Sequence, residues 1–199
     1  MPSHKEGKST ATSRALAAVA LLFFLSPAPA QQPPAVQLAV CIACHGPQGN
    51  SQISTTPSLA GQPKVFLENK LVLIREGLRE IPQMKGLLDG VGDADIVALA
   101  SYFSAQTRAT VTGPVNTTTY QRGQAISSGM LCGSCHLPDY AGRQQIPRLA
   151  GQQEAFLLNA MKQFRDNSRP GRDTIMSASV HGLKDDELSD LAHFLSNFK

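Results

Sequence analysis

Apolar positions recur with a helical period along most of the chain. In "PKVFLENKLVLIREG" Val65, Phe66, Leu67, Leu71 and Ile74 share one broad face, and Pro63 suits a first helical position; "EAFLLNAMKQF" is a second stretch of the same kind. Farther along each half, Ile96, Leu99 and Phe103, then Leu188, Leu191 and Leu195, recur at i, i+3, i+7. Asp93 and Asp185 are the expected N-caps of these closing helices. No period-two alternation competes, so the expected class is all-α.

The helical stretches come in pairs. Cys41 matches Cys132 at an offset of 91, "PSLAGQ" (57–62) matches "PRLAGQ" (147–152) at 90, and Phe66, Leu67 and Asn69 match Phe156, Leu157 and Asn159 at 90. Met84 matches Met176, and residues 93–104 match 185–196, at 92. A constant order with so small a drift is an internal duplication, and two copies are too few for a solenoid. The expected organisation is two tandem α-helical domains, 31–106 and 120–199. Between them "TRATVTGPVNTTT" (107–119) is Thr-rich, contains Gly113-Pro114, shows no helical stripe and reads as an extended linker. Its Asn116 opens a formal glycosylation triplet, a pattern common by chance.

Residues 1–30 read as an export signal. Lys5, Lys8 and Arg14 form a basic start, "ALAAVALLFFL" an apolar run of 11, and "APA" (28–30) a small-residue cleavage site. The run is too short to span a bilayer comfortably, so the expectation is a cleaved leader and an oxidising compartment outside the cytoplasm. The rest of the chain lacks Trp and is poor in aromatics, so each domain is short of core and needs a cofactor, metal or disulfides. A net charge of only +3 excludes the strong basic excess of a nucleic-acid binder.

All four cysteines lie in "CIACHG" and "CGSCHL". Two C-x-x-C pairs have the spacing to ligate one zinc ion, but that leaves His45 and His136 without a role and asks four thiolates to survive export. A thioredoxin-like dithiol belongs in a βαβ setting, which is missing. C-x-x-C-H is also the attachment signature for c-type haem, in which Cys41 and Cys44, and Cys132 and Cys135, add to the porphyrin vinyls. His45 and His136 then become axial iron ligands. This reading uses every residue, twice, and predicts two covalent haems.

The sixth ligand decides what such a haem can do. Met84 and Met176 follow their histidines by 39 and 40 residues at equivalent places in the repeat, and a thioether there fills the iron site. Met130 and Met161 are not duplicated and read as core. His181 and His193 align with Asp89 and Ser101 and read as surface or rim residues. Pro57 and Pro147, 12 and 11 residues after the histidines, are placed to orient the imidazoles, since such rings usually donate their other N–H to a carbonyl.

These residues resemble the dihaem cytochromes c of the cytochrome c4 type. The similarity rests on both C-x-x-C-H motifs, on "PSLAGQ" and "PRLAGQ", on "QMKGL" and "TIMSASVHGL", and on the terminal helices. It implies two cytochrome c domains related by a pseudo-twofold axis, with carbonyls of Pro57 and Pro147 facing His45 and His136. It also implies a bacterial periplasmic carrier passing electrons toward a terminal oxidase; the leading expectation is an electron carrier with no substrate chemistry of its own. The alternative is a cytochrome subunit that accepts electrons from a dehydrogenase, for example a flavoprotein acting on a sulfur compound. One departure stands out: "YQRGQAISSGMLC" is a proper lead-in helix with Gly123 at the expected helix crossing, whereas "QQPPAVQLAVC" has no matching glycine.

Overall fold

The computed structural model describes residues 1–3, 32–109, 114–167 and 173–199. The leader, apart from its first three residues, lies outside them. So does the middle of the expected linker, 110–113. The described residues contain α-helices, short 3-10 turns and one isolated bridge, Arg143 to Ile146, and no strands. The chain is all-α.

In the first half α1 (Ala35–His45) carries the first cysteine motif, α2 (Lys64–Arg75) the first broad apolar face, and α3 (Asp93–Ser104) the closing stripe. In the second, α4 (Thr117–Gly129) and α5 (Cys132–His136) precede α6 (Glu154–Arg165), α7 (Thr174–Val180) and α8 (Asp185–Asn197). Each half closes its own core. Leu67, Leu88, Val91, Ile96, Leu99 and Phe103 form one; Leu157, Met161, Val180, Leu188, Leu191, Phe194 and Leu195 are among those in the other.

The two cores fill one gap in two ways. Gly49 and its counterpart Tyr140 both have positive φ, and the carbonyl of each accepts two consecutive amides from the following loop. A Cβ on Gly49 would lie 2.7 Å from Phe103, so glycine makes room for that ring. In the second half Tyr140 is the large residue and Leu195 stands where Phe103 does; the Tyr140 hydroxyl reaches Ser127 Oγ at 2.7 Å. Tyr140, Phe194 and Phe198 pack edge to face with centroids 4.8–5.6 Å apart.

The lead-ins differ as their sequences do. At Gly123 a Cβ would sit 2.1 Å from the Asp190 carbonyl oxygen and 2.6 Å from Phe194 Cβ, so only glycine permits the α4–α8 crossing. Arg122 pins it with bidentate bonds of 2.5 and 2.8 Å to Asp190. No comparable crossing joins α1 to α3, although Leu38 and Ile42 still pack on the first core.

Several boundaries depart from expectation. The helix after the linker begins at Thr117, because Asn116 Oδ1 accepts from the Thr119 amide at 3.0 Å and caps it. The cap residues of α3 and α8 are Gly92 and Lys184, with Asp93 and Asp185 one position inside, where their carboxylates still favour the helix N-terminus. Pro63 is likewise the residue before α2 rather than its first. The second lead-in breaks at Leu131, whose φ of 54° ends α4 and lets α5 start afresh. Met161 is core as expected, but Met130, on that break, is exposed.

Candidate haem sites and the interface between them

Cys41, Cys44 and His45 occupy i, i+3 and i+4 at the end of α1, and Cys132, Cys135 and His136 make up the same turn of α5. This spacing brings the three side chains to one side of a helix. The first cysteine of each motif is half-buried, the second is exposed, and both histidines are buried. Gly46 ends α1 with φ 77°, where a Cβ would collide with the Asn50 carbonyl. The second copy makes the same exit with Leu137 at φ 70° and ψ 157°, a region that costs a non-glycine residue about 1–3 kcal/mol.

His45 Nδ1 donates to the Pro57 carbonyl at 2.8 Å, and His136 Nδ1 to the Pro147 carbonyl at 2.9 Å. Burial pushes both imidazole pKa values down, partly opposed by these bonds. Each ring is therefore held neutral at physiological pH with Nε2 as its free lone pair, the form that ligates a metal. Burial also pushes the Cys41 and Cys132 thiols up. That is opposite to a redox dithiol or a zinc thiolate, and among the described residues no three or more of His, Cys, Asp and Glu gather as a metal cluster.

Met84 ends a 3-10 turn, Pro82–Met84, and packs on the same core as Cys41; Met176 lies in α7 and packs on the same core as Cys132. Both are partly buried. Different local structures hold the two. The Met84 amide bonds the Ile81 carbonyl at 2.8 Å, while the Met176 amide bonds the Asp173 carboxylate at 3.0 Å, a side-chain cap absent from the first copy. His181 is exposed. His193 is largely buried rather than superficial, with Nδ1 3.0 Å from a Glu154 carboxylate oxygen.

Two repeated arginines, not singled out in the sequence, secure the segments after the methionines. Arg75 donates to the Val91 carbonyl at 2.9 Å and pairs with Asp93; Arg165 donates to the Leu183 carbonyl at 3.1 Å and pairs with Asp185. Their offset of 90 was the available signal.

The loops that carry Pro57 and Pro147 also join the halves. Gln62 accepts from the Arg148 amide at 2.9 Å and donates to the Arg148 carbonyl at 3.0 Å. Gln152 does the same to Ser58, at 2.7 and 2.9 Å. Residue 62 corresponds to 152 and 58 to 148, so the interface is the same contact made twice, as a pseudo-twofold axis requires. Arg148 lies across it, donating to the Ala60 carbonyl at 2.9 Å and to the Ala150 carbonyl. Its Nε is buried with no partner among the described residues, and desolvation, with Arg108 nearby, lowers its pKa to about 10. A buried cation that has only carbonyls as partners among the described residues suits an anionic neighbour, a counter-charge that porphyrin propionates would supply. The residues present therefore fit a covalent iron porphyrin in thiols, axial nitrogen, thioether and counter-charge.

Comparison with known proteins points the same way. A family model described as cytochrome c matches residues 120–199. The chain is similar to a cytochrome c4 of Pseudomonas aeruginosa, 31% identical over 166 residues that cover 79% of this chain and 83% of that one. It is 32% identical over 173 residues to a thiosulfate dehydrogenase electron acceptor of Thiomonas intermedia, covering 79% of this chain and 76% of that protein. Its fold is similar to that of reduced cytochrome c4 from Pseudomonas stutzeri, with a TM-score of 0.76 at 29% identity, over 82% of this chain and 96% of that one.

Proposed function

From the premise that the chain belongs to the cytochrome c4 family, and is an electron-transfer cytochrome with covalently bound haem c rather than an enzyme, we propose that it carries two haems and shuttles electrons in a bacterial periplasm. Cys41 and Cys44 would hold one haem, with His45 and Met84 ligating its iron, and Cys132 and Cys135 the other, with His136 and Met176. The domains are 31–106 and 120–199, with the first helix of the second reaching back to Thr117. The single observation that carries this reading is the duplicated histidine geometry, in which each C-x-x-C-H imidazole is buried and bonded to a proline carbonyl at 2.8–2.9 Å.

Bound haem supplies a one-electron ferric–ferrous couple; the chain supplies its setting. The cysteines fix the macrocycle, and the Pro57 and Pro147 carbonyls keep each imidazole oriented and basic. The Met84 and Met176 thioethers would be the second iron ligands, a donor that favours the ferrous state and would leave the metal without an open position. The apolar cores on which Cys41, Met84, Cys132 and Met176 pack would give each haem an apolar surround.

Export through residues 1–30 and delivery of electrons to a terminal oxidase complete the proposal. No helix among the described residues is long and apolar enough to cross a membrane. A second reading, an electron acceptor subunit of a dehydrogenase, is favoured by the similarity to the Thiomonas intermedia protein. The test is reductive titration of the purified chain with haem counted as the reduced haemochrome. Two haems and two electrons per chain, with no peroxide turnover, are expected. One haem, or rapid peroxide turnover, overturns the proposal, and co-purification with a dehydrogenase selects the second reading.

A further inference from the structure

The peptide group that accepts from each histidine is the same one that donates to a glutamine of the other half. In the peptide between Pro57 and Ser58 the carbonyl takes the His45 Nδ1 proton at 2.8 Å and the N–H bonds Gln152 Oε1 at 2.7 Å. In the peptide between Pro147 and Arg148 the carbonyl takes the His136 proton at 2.9 Å and the N–H bonds Gln62 Oε1 at 2.9 Å. Gln62, Gln152, Ser58 and Arg148 are all buried, so water does not replace these bonds.

We infer that Gln62 and Gln152 are positioning residues that tune the haem of the opposite domain through one shared peptide group. The inference rests on the two-haem reading above. A peptide whose N–H is hydrogen-bonded carries more negative charge on its oxygen, and bonds in such a chain strengthen one another. The oxygen then draws more strongly on the imidazole N–H, making Nε2 a better electron donor to iron. Greater donation favours the ferric state and lowers the potential. Docking of the domains thus holds both potentials down, each through the partner's glutamine. The repeated "LAGQ" acquires a role that neither half fulfils alone.

The pattern is crossed, which separates it from an ordinary structural effect. Loosening the interface admits water, which favours the more highly charged ferric centre and lowers the potentials; loss of the relay raises one of them. The experiment uses the full chain with both haems, in Gln152→Leu and Gln62→Leu, after confirming the haem count. Potentials are assigned to each haem by NMR of its proximal histidine, and scattering reports whether the halves stay docked.

Gln152→Leu is expected to raise the potential at His45 and move the His45 Nδ1 proton signal, leaving His136 unchanged. The shift expected is about threefold in the reduction equilibrium, or ~30 mV at ~59 mV per tenfold for one electron. Gln62→Leu is expected to do the reverse. A shift in the substituted domain alone, equal shifts in both, falls instead of rises, or no shift with the halves docked overturns the inference while leaving the two-haem reading intact. A chain without two haems overturns that reading instead. If one variant does not fold, the other decides.

Discussion

Replacing Gly123 by alanine adds one methyl group where α4 crosses closely over α8. The new Cβ would lie 2.1 Å from the Asp190 oxygen, 2.7 Å from its carbonyl carbon and 2.6 Å from Phe194 Cβ. Carbon–oxygen contacts ordinarily begin near ~3.3 Å, so α4 must retreat from α8 by roughly 1 Å. Overpacking of this kind costs about 1–3 kcal/mol. The retreat also loosens the edge-to-face pair of Tyr120 and Phe194, 5.0 Å between centroids and worth ~0.5–1.5 kcal/mol, along with the Arg122–Asp190 fork. Alanine's better helix propensity returns about 0.5–1 kcal/mol. The net expectation is a loss of ~2 kcal/mol, or about 8–16 °C in the melting of a unit this size. The assay is thermal unfolding of the haem-loaded protein followed by near-ultraviolet circular dichroism, where Tyr120 and Tyr140 report on the second half. Gly129→Ala is the control, because beyond its own helix no atom of the described residues lies within 4 Å of a Cβ there. If Gly123→Ala melts with Gly129→Ala, the close crossing does not specify this domain.

Leu137→Gly should stabilise the second half by about 1 kcal/mol, since it relieves a φ of 70° at ψ 157° that the first copy assigns to Gly46; equal or lower stability in denaturant titration would contradict this. Arg122 holds the Asp190 carboxyl below its ordinary range, so the stability it adds is present above about pH 4 and is lost as pH falls through the depressed native value. Asp190→Asn should remove that part of the acid dependence, measured as midpoint against pH; an unchanged slope would show that the pair contributes nothing.

The all-α class and the duplication were legible because helical periodicity and repeat offsets are local or linear properties. Caps were less so. Gly92 and Lys184 precede the aspartates that look like caps, because acidic residues are favoured throughout a first turn and not only at its start. The linker hid the start of α4 because its threonines carry no apolar stripe, and only the Asn116 bond to Thr119 fixes that end. Met130 looked like core on residue type alone, yet it sits on the break that Leu131 introduces. The proline–histidine bonds answer to a general habit of ligating imidazoles. The roles of Gln62, Gln152 and Arg148 required the two loops to be brought face to face, which no spacing within one copy encodes.

The central claim is a histidine–methionine pair at each of two haems, and the weak far-red band of ferric methionine-ligated haem tests it most directly. Measured per haem in the purified protein, the band should fall by about half in Met84→Ala and in Met176→Ala, and vanish when both are replaced. A band unaffected by either substitution would contradict the account.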